Sequence, residues 1–241
     1  MAVLIATFTA CARQELEYYR LTLDGENAVG VSRKGAEPRG IVLFFHGMDR
    51  DETILDVDEP HRELTEALTG AGYVVVASRA GGNVWGNAAS RRVYADLAYG
   101  SAEHYGVDKL FLLSESMGAI AATNLMAGGE FNISGMVAIN PLLDVRSLEP
   151  KYVAQAEDAN SDVPISAVNP IDIPVAKMKD EKLRFYVTPD DQLVPTDRNA
   201  TAFERRYGGV ADISTVMCSG EHMDPSCIQG KDIVAWFNSL G

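Results

Sequence analysis

The sequence predicts an α/β fold in which helices cover both faces of a mostly parallel central sheet of about eight strands. Three features carry this expectation. Apolar runs without alternation recur along the chain at 41–45, 73–78, 110–114 and 136–140, as strands covered on both faces require. Stretches with helical periodicity lie between them, and the strict alternation of the two patterns favours parallel pairing through helical crossovers.

Each element has its own signature. Alternation in Leu16-Glu17-Tyr18-Tyr19-Arg20-Leu21-Thr22-Leu23 predicts an exposed antiparallel strand, and Gly25-Glu26-Asn27 turns it into a second strand at 28–32, forming an edge hairpin. Helices are expected at 61–70, 88–105 and 118–127, the first and last ending near Gly70 and Gly128. Strands at 184–188 and 213–217 enclose a helix at 198–207. A closing amphipathic helix at 228–240 spaces Ile233, Phe237 and Leu240 for one face. The segment 142–180 breaks the rhythm with Pro150, Pro164, Pro170 and Pro174. It reads either as a short cap beside a site or as a connecting loop with one or two helical turns.

The 241 residues, 46% of them apolar, suit a single compact domain over residues 12–241. With 21 Lys and Arg against 34 Asp and Glu, the net charge of -13 disfavours a nucleic-acid partner, which needs clustered cations. No apolar run approaches the roughly 20 residues that span a bilayer. Residues 2–10 are apolar and end in Phe8-Thr9-Ala10-Cys11, followed by polar Arg13-Gln14-Glu15. This resembles a bacterial lipoprotein signal over 1–11, with a lipid anchor at Cys11 and an extracytoplasmic location. The alternative is an apolar segment packing on a cytoplasmic domain. Of the three cysteines, Cys218 and Cys227 lie close together, which leaves Cys11 alone. They read as a disulfide in an exported protein or as two reduced thiols in a cytosolic one.

The chemistry is concentrated at strand ends. Leu110-Phe111-Leu112-Leu113-Ser114-Glu115-Ser116-Met117-Gly118 runs a buried strand into a small-x-Ser-x-Gly turn, and the small-residue helix Ala119-Ile120-Ala121-Ala122 follows. Such a turn must be flanked by small residues, because it holds the serine in a strained conformation while strand and helix crowd around it. Ser116 is therefore the candidate nucleophile, with the Met117 N–H turned toward a developing oxyanion. Ile41-Val42-Leu43-Phe44-Phe45-His46-Gly47-Met48 places a His-Gly pair after an earlier buried strand. The Gly47-Met48 segment, Met48 N–H first, is the expected second oxyanion donor, and His46 braces the loop.

From about residue 40 to 240 these elements, in this order and spacing, resemble the α/β-hydrolase superfamily. Ser114 departs from the glycine usual there, although serine is also small. The resemblance implies a triad met along the chain as Ser, acid and His. Phe185-Tyr186-Val187-Thr188-Pro189-Asp190-Asp191-Gln192-Leu193-Val194-Pro195 is similar to the family's acid segment, in which an aspartate precedes Val-Pro by three residues. Asp191 fits that register, and Asp190 is the alternative. Cys218-Ser219-Gly220-Glu221-His222-Met223-Asp224 occupies the place of the family's histidine loop, making His222 the base. Arg79-Ala80-Gly81-Gly82-Asn83-Val84-Trp85-Gly86-Asn87 should open on the same face as Ser116. Its Trp-Gly-Asn segment looks like hydrolases related to the prolyl-oligopeptidase-like branch. Trp85, Asn83 and Asn87 are candidate substrate contacts; alternatively Trp85 packs the loop and Asn87 caps the next helix.

The expected activity is hydrolysis of a carboxylic ester through an acyl-enzyme, with no metal or organic cofactor. The same residues also suit a peptidase, an amidase or an acyltransferase, and the fold alone can serve a non-catalytic ligand-binding protein.

Overall fold

The computed structural model describes residues 15–23 and 25–241. The proposed signal segment and Cys11 therefore lie outside the described residues, apart from which the chain follows the expected alternation. Strands β1 (Leu16–Leu23) and β2 (Glu26–Arg33) form the antiparallel hairpin. The remaining strands are β3 (Gly40–Phe45), β4 (Tyr73–Ser78), β5 (Leu110–Glu115), β6 (Ile133–Ile139), β7 (Lys182–Val187) and β8 (Asp212–Met217). All eight join one sheet in the order β1-β2-β4-β3-β5-β6-β7-β8. Strands β3 to β8 pair in parallel, while β2 joins β4 antiparallel.

Among the described residues six helices accompany the sheet: α1 (Glu59–Gly70), α2 (Ala88–Tyr105), α3 (Gly118–Gly128), α4 (Pro150–Ala159), α5 (Ala200–Tyr207) and α6 (Gly230–Ser239). The two-residue period of a strand divides the core between the two faces. Ile41, Leu43 and Phe45 pack with Val93 and Leu97 of α2, Ala119 and Ala122 of α3, and Phe203 of α5. Val42 and Phe44 point the other way, toward Leu64 and Leu68 of α1 and Ile233 and Phe237 of α6. Both faces of β3 are thus covered, which is why its sequence shows no alternation. Each such buried side chain contributes roughly 1.5–3 kcal/mol.

The helix starts explain where prediction and structure differ by a residue or two. α1 begins at Glu59, earlier than the expected residue 61, because the Asp58 side chain accepts from His61 N and Pro60 fits the first turn. Segment 142–180 carries a full helix of 10 residues, α4, in addition to single 3₁₀ turns such as Val145–Ser147 and Val175–Met178. Pro150, a breaker in the sequence reading, sits in the first turn of α4, where a missing N–H costs nothing. Leu142, Val145 and Ala156 of this segment form a third apolar cluster with Trp85, Met117, Ile120 and Val194. No helix among the described residues is long and apolar enough to cross a membrane.

Candidate active site

In an open parallel sheet, loops gather at the carboxyl ends of the strands, and a crevice opens where neighbouring connections diverge. Here β3 lies between β4 and β5. Met48 follows β3, Trp85 follows β4, Ser116 follows β5, Asn140 follows β6, Asp191 follows β7 and His222 follows β8.

Ser116 takes a φ of 47°, a left-handed conformation costing a non-glycine residue about 1–3 kcal/mol unless its surroundings enforce it. The enforcement is visible. Ser116 N donates to Ile139 O at 3.0 Å, and Ser116 O accepts from Leu142 N at 3.0 Å and Ala119 N at 3.1 Å. Gly118 closes the turn because a Cβ there would fall 2.3 Å from Phe45 O and 2.7 Å from His46 O. The small-residue requirement read from the sequence is thus a backbone contact between the elbow and the end of β3.

His222 Nε2 lies 2.9 Å from Ser116 Oγ, and His222 Nδ1 lies 2.6 Å from Asp191 Oδ2. The Asp191 side chain is fully buried and its oxygens are fixed from several directions. Oδ1 accepts from Leu193 N at 3.0 Å and Val194 N at 2.8 Å, while Oδ2 also accepts from Asn140 Nδ2 at 3.1 Å. Asp190 is exposed and its carbonyl is bound by Gln192, so the geometry brings Asp191, not Asp190, to the imidazole. Asn140 is missing from the sequence reading. It also accepts from Met223 N at 3.3 Å and donates to Thr188 Oγ1 at 2.9 Å, linking the aspartate loop to the histidine loop. Its signal was only a polar residue at a strand end, with a φ of 41° in the folded chain.

Cys218 and Cys227 are bridged, with Cα atoms 5.3 Å apart, so the loop carrying His222 is closed at its base. In the loop after β3, His46 is buried, with Nδ1 2.7 Å from Gly47 O and Nε2 2.9 Å from Arg79 O. Asn83 accepts from Asp49 N at 2.8 Å and donates to Asp49 Oδ1 at 2.7 Å. These contacts lace the loops after β3 and β4 together and fix the position of Met48. Met48 and Met117 both border Ser116.

Trp85 is buried and lines a small cavity beside Ser116, whereas Asn87 borders neither that cavity nor the larger cleft beside His222. Asn87 Oδ1 accepts from Ser90 N at 2.9 Å and caps α2, and its Nδ2 donates to Ala159 O at 3.3 Å. Both ends of that amide are therefore committed to backbone. Asn160 Nδ2 donates to Trp85 O at 3.2 Å and ties α4 to the tryptophan loop.

A second buried polar line is also missing from the sequence reading. Glu115, beside Ser116, is 2% exposed and places Oε1 2.9 Å from His61 Nε2; His61 Nδ1 in turn lies 2.5 Å from Asp58 Oδ1. Burial pulls the His61 imidazole toward its neutral form, but Glu115 and Asp58 outweigh it and raise the pKa above the ordinary value. Burial likewise opposes ionisation of Asp58, and the imidazole overcomes it to hold that carboxyl below the usual range. Among the described residues, no group of three or more His, Cys, Asp or Glu side chains is placed to hold a metal ion.

No protein-family model and no curated protein matches this sequence. Solved structures do match. An S-formylglutathione hydrolase from Agrobacterium tumefaciens superposes with a TM-score of 0.78 at 14% identity, covering 98% of this chain and 99% of that one. The fluorophosphonate-binding serine hydrolase F of Staphylococcus aureus gives 0.72 at 11% identity, covering 94% and 98%. Brefeldin A esterase, a bacterial homologue of human hormone-sensitive lipase, gives 0.70 at 15% identity, covering 99% and 80%. Such overlap across nearly the whole chain, at so little sequence identity, fixes the architecture: the chain has the α/β-hydrolase fold.

Proposed function

We propose that this chain is a serine hydrolase cleaving a carboxylic ester. The observation that carries the reading is the unbroken line from Asp191 through His222 to Ser116, with contacts of 2.6 and 2.9 Å, opening on a cleft. In this mechanism His222 Nε2 takes the Ser116 proton as Oγ attacks the acyl carbon, and the carboxylate of Asp191 stabilises the imidazolium. The backbone N–H groups of Met48 and Met117 receive the oxyanion. The imidazolium returns its proton to the departing alkoxide, leaving an acyl-serine. Water, deprotonated by His222, then releases the acid and regenerates Ser116.

The test is covalent labelling with a fluorophosphonate, followed by turnover of p-nitrophenyl esters and matched anilides. Labelling at Ser116, lost in Ser116→Ala, together with faster ester cleavage, is the expected result. A protein that resists the probe is a binding module with this fold, and faster anilide cleavage makes it an amidase.

The Cys218–Cys227 bridge supports an extracytoplasmic location, since such bonds persist in oxidising compartments. The lipid anchor at Cys11 belongs to the same proposal. Mass spectrometry of the native protein should find a lipidated Cys11 as its first residue, and an intact Met1 rules the anchor out.

A further inference from the structure

Two spaces meet at Ser116, and they differ in size, lining and relation to His222. The larger, about 230 Å³, is bordered by His222, Met223, Pro225 and Ile228 on one side and by Arg50, Asp58, His61 and Glu115 on the other. The smaller, about 20 Å³, is bordered by Trp85, Met117, Leu142, Leu148, Tyr152 and Val194, and His222 does not reach it. Met48 and Leu193 border both.

In ester cleavage the leaving oxygen must take a proton from the imidazole, so the alcohol half must lie on the side that the imidazole borders. The acyl half then falls on the opposite side of Ser116. A cavity needs roughly 10–15 Å³ to admit one water-sized group, so the walled part of the smaller space holds a methyl or ethyl group, and a longer chain must displace those walls or project through the open side. Its walls cannot open freely. Trp85 and Met117 are buried in the third apolar cluster, Leu148 and Tyr152 pack against that cluster, and Asn160 ties the tryptophan loop to α4.

From this geometry we infer that the enzyme selects short acyl groups, acetyl or propionyl, in the pocket walled by Trp85, Leu148 and Tyr152, and seats a larger alcohol in the cleft beside His222. This rests on the serine hydrolase reading and adds the substrate class. Leu148 and Tyr152 are then specificity-determining side chains supplied by segment 142–180.

Isomeric esters test the assignment without any variant. Hexyl acetate and methyl heptanoate share a composition but exchange the long chain between the two halves. Hexyl acetate should be cleaved at least about tenfold faster in kcat/KM, since one misplaced methylene alone can cost tenfold or more. Leu148→Ala, and separately Tyr152→Ala, should shift the optimum among p-nitrophenyl esters from acetate or propionate toward butyrate or hexanoate. Preference for methyl heptanoate, or a wild-type optimum at hexanoate or longer, overturns the assignment. Fluorophosphonate labelling keeps the two failures apart. A protein labelled at Ser116 that prefers long acyl chains loses only this inference, whereas an unlabelled one loses the hydrolase reading as well.

Discussion

The two flanks of Ser116 are built by different physics. On the cleft side, polar groups are held by directional bonds: Asp191 accepts from Leu193, Val194 and Asn140 and contacts His222, a disulfide closes the histidine loop, and His61 bridges Glu115 and Asp58. On the side assigned above to the acyl group, most of the wall is contributed by apolar side chains, the aromatic Trp85 and Tyr152 among them. Directional bonds tolerate little displacement, while apolar contact is non-directional and repacks after modest changes of volume. Proton transfer needs the first kind of wall. A pocket whose acceptance can be retuned needs the second.

If this contrast holds, substitutions on the cleft side should be far more damaging than those opposite. The largest effect is expected from Asp191→Asn, which keeps the shape but removes the charge that steadies the imidazolium. Ester turnover should fall by roughly 10⁴-fold, with the folded structure retained by circular dichroism. Next comes His61→Ala, which leaves Glu115 buried and uncompensated and should lower unfolding free energy in urea by about 3–5 kcal/mol.

That loss should depend on pH, with a definite sign. Because the His61 pKa is raised on folding, its stabilising share is complete below the ordinary value of 6.5 and fades as pH rises through the raised value. The depressed Asp58 carboxyl acts oppositely: its share is present above 3.8 and disappears on acidification. The gap between wild type and His61→Ala should thus narrow in alkaline urea titrations; a gap that is constant with pH would show that the imidazole carries no folding-linked proton.

Removing the disulfide with the pair Cys218→Ser and Cys227→Ser should cost roughly 2.5–3 kcal/mol through loop entropy. It should also slow ester turnover by loosening His222. The smallest effect belongs to the opposite flank. Leu148→Ala should change p-nitrophenyl acetate turnover by less than about tenfold, because it enlarges a half-buried wall without touching a proton path. A loss as deep as that of Asp191→Asn would erase the distinction between the flanks.

The sheet was legible in the sequence because strands such as β3 and β4 are apolar on both faces, a signal that needs no knowledge of partners. The elbow was legible for a local reason too, since crowding at residue 118 forces glycine within a few positions of the serine. Asp191 was reached only through the family resemblance, whose acid segment sets an aspartate three residues before Val-Pro, with Asp190 as the alternative. His61 illustrates what local pattern leaves out. In the sequence it is only the first residue of the helix expected at 61–70, and its partner Glu115 lies 54 positions away. Asn140 and the Asn83–Asp49 pair escaped for the same reason, being polar residues in loops whose partners are set by the tertiary fold. The length of α4 was obscured by its own first residue, because proline marks both the end of a helix and the start of one.

The Asp191–His222–Ser116 line also makes activity a gauge of cooperativity. Its members arrive after three different strands and are separated by 31 and 106 positions along the chain. No fragment holding a single strand and its neighbouring helix contains a working set, and fraying at β8 disassembles the site as surely as melting β5. On the proposed mechanism, catalysis is consequently an all-or-none property of the sheet, lost at the first detachment of β5, β7 or β8.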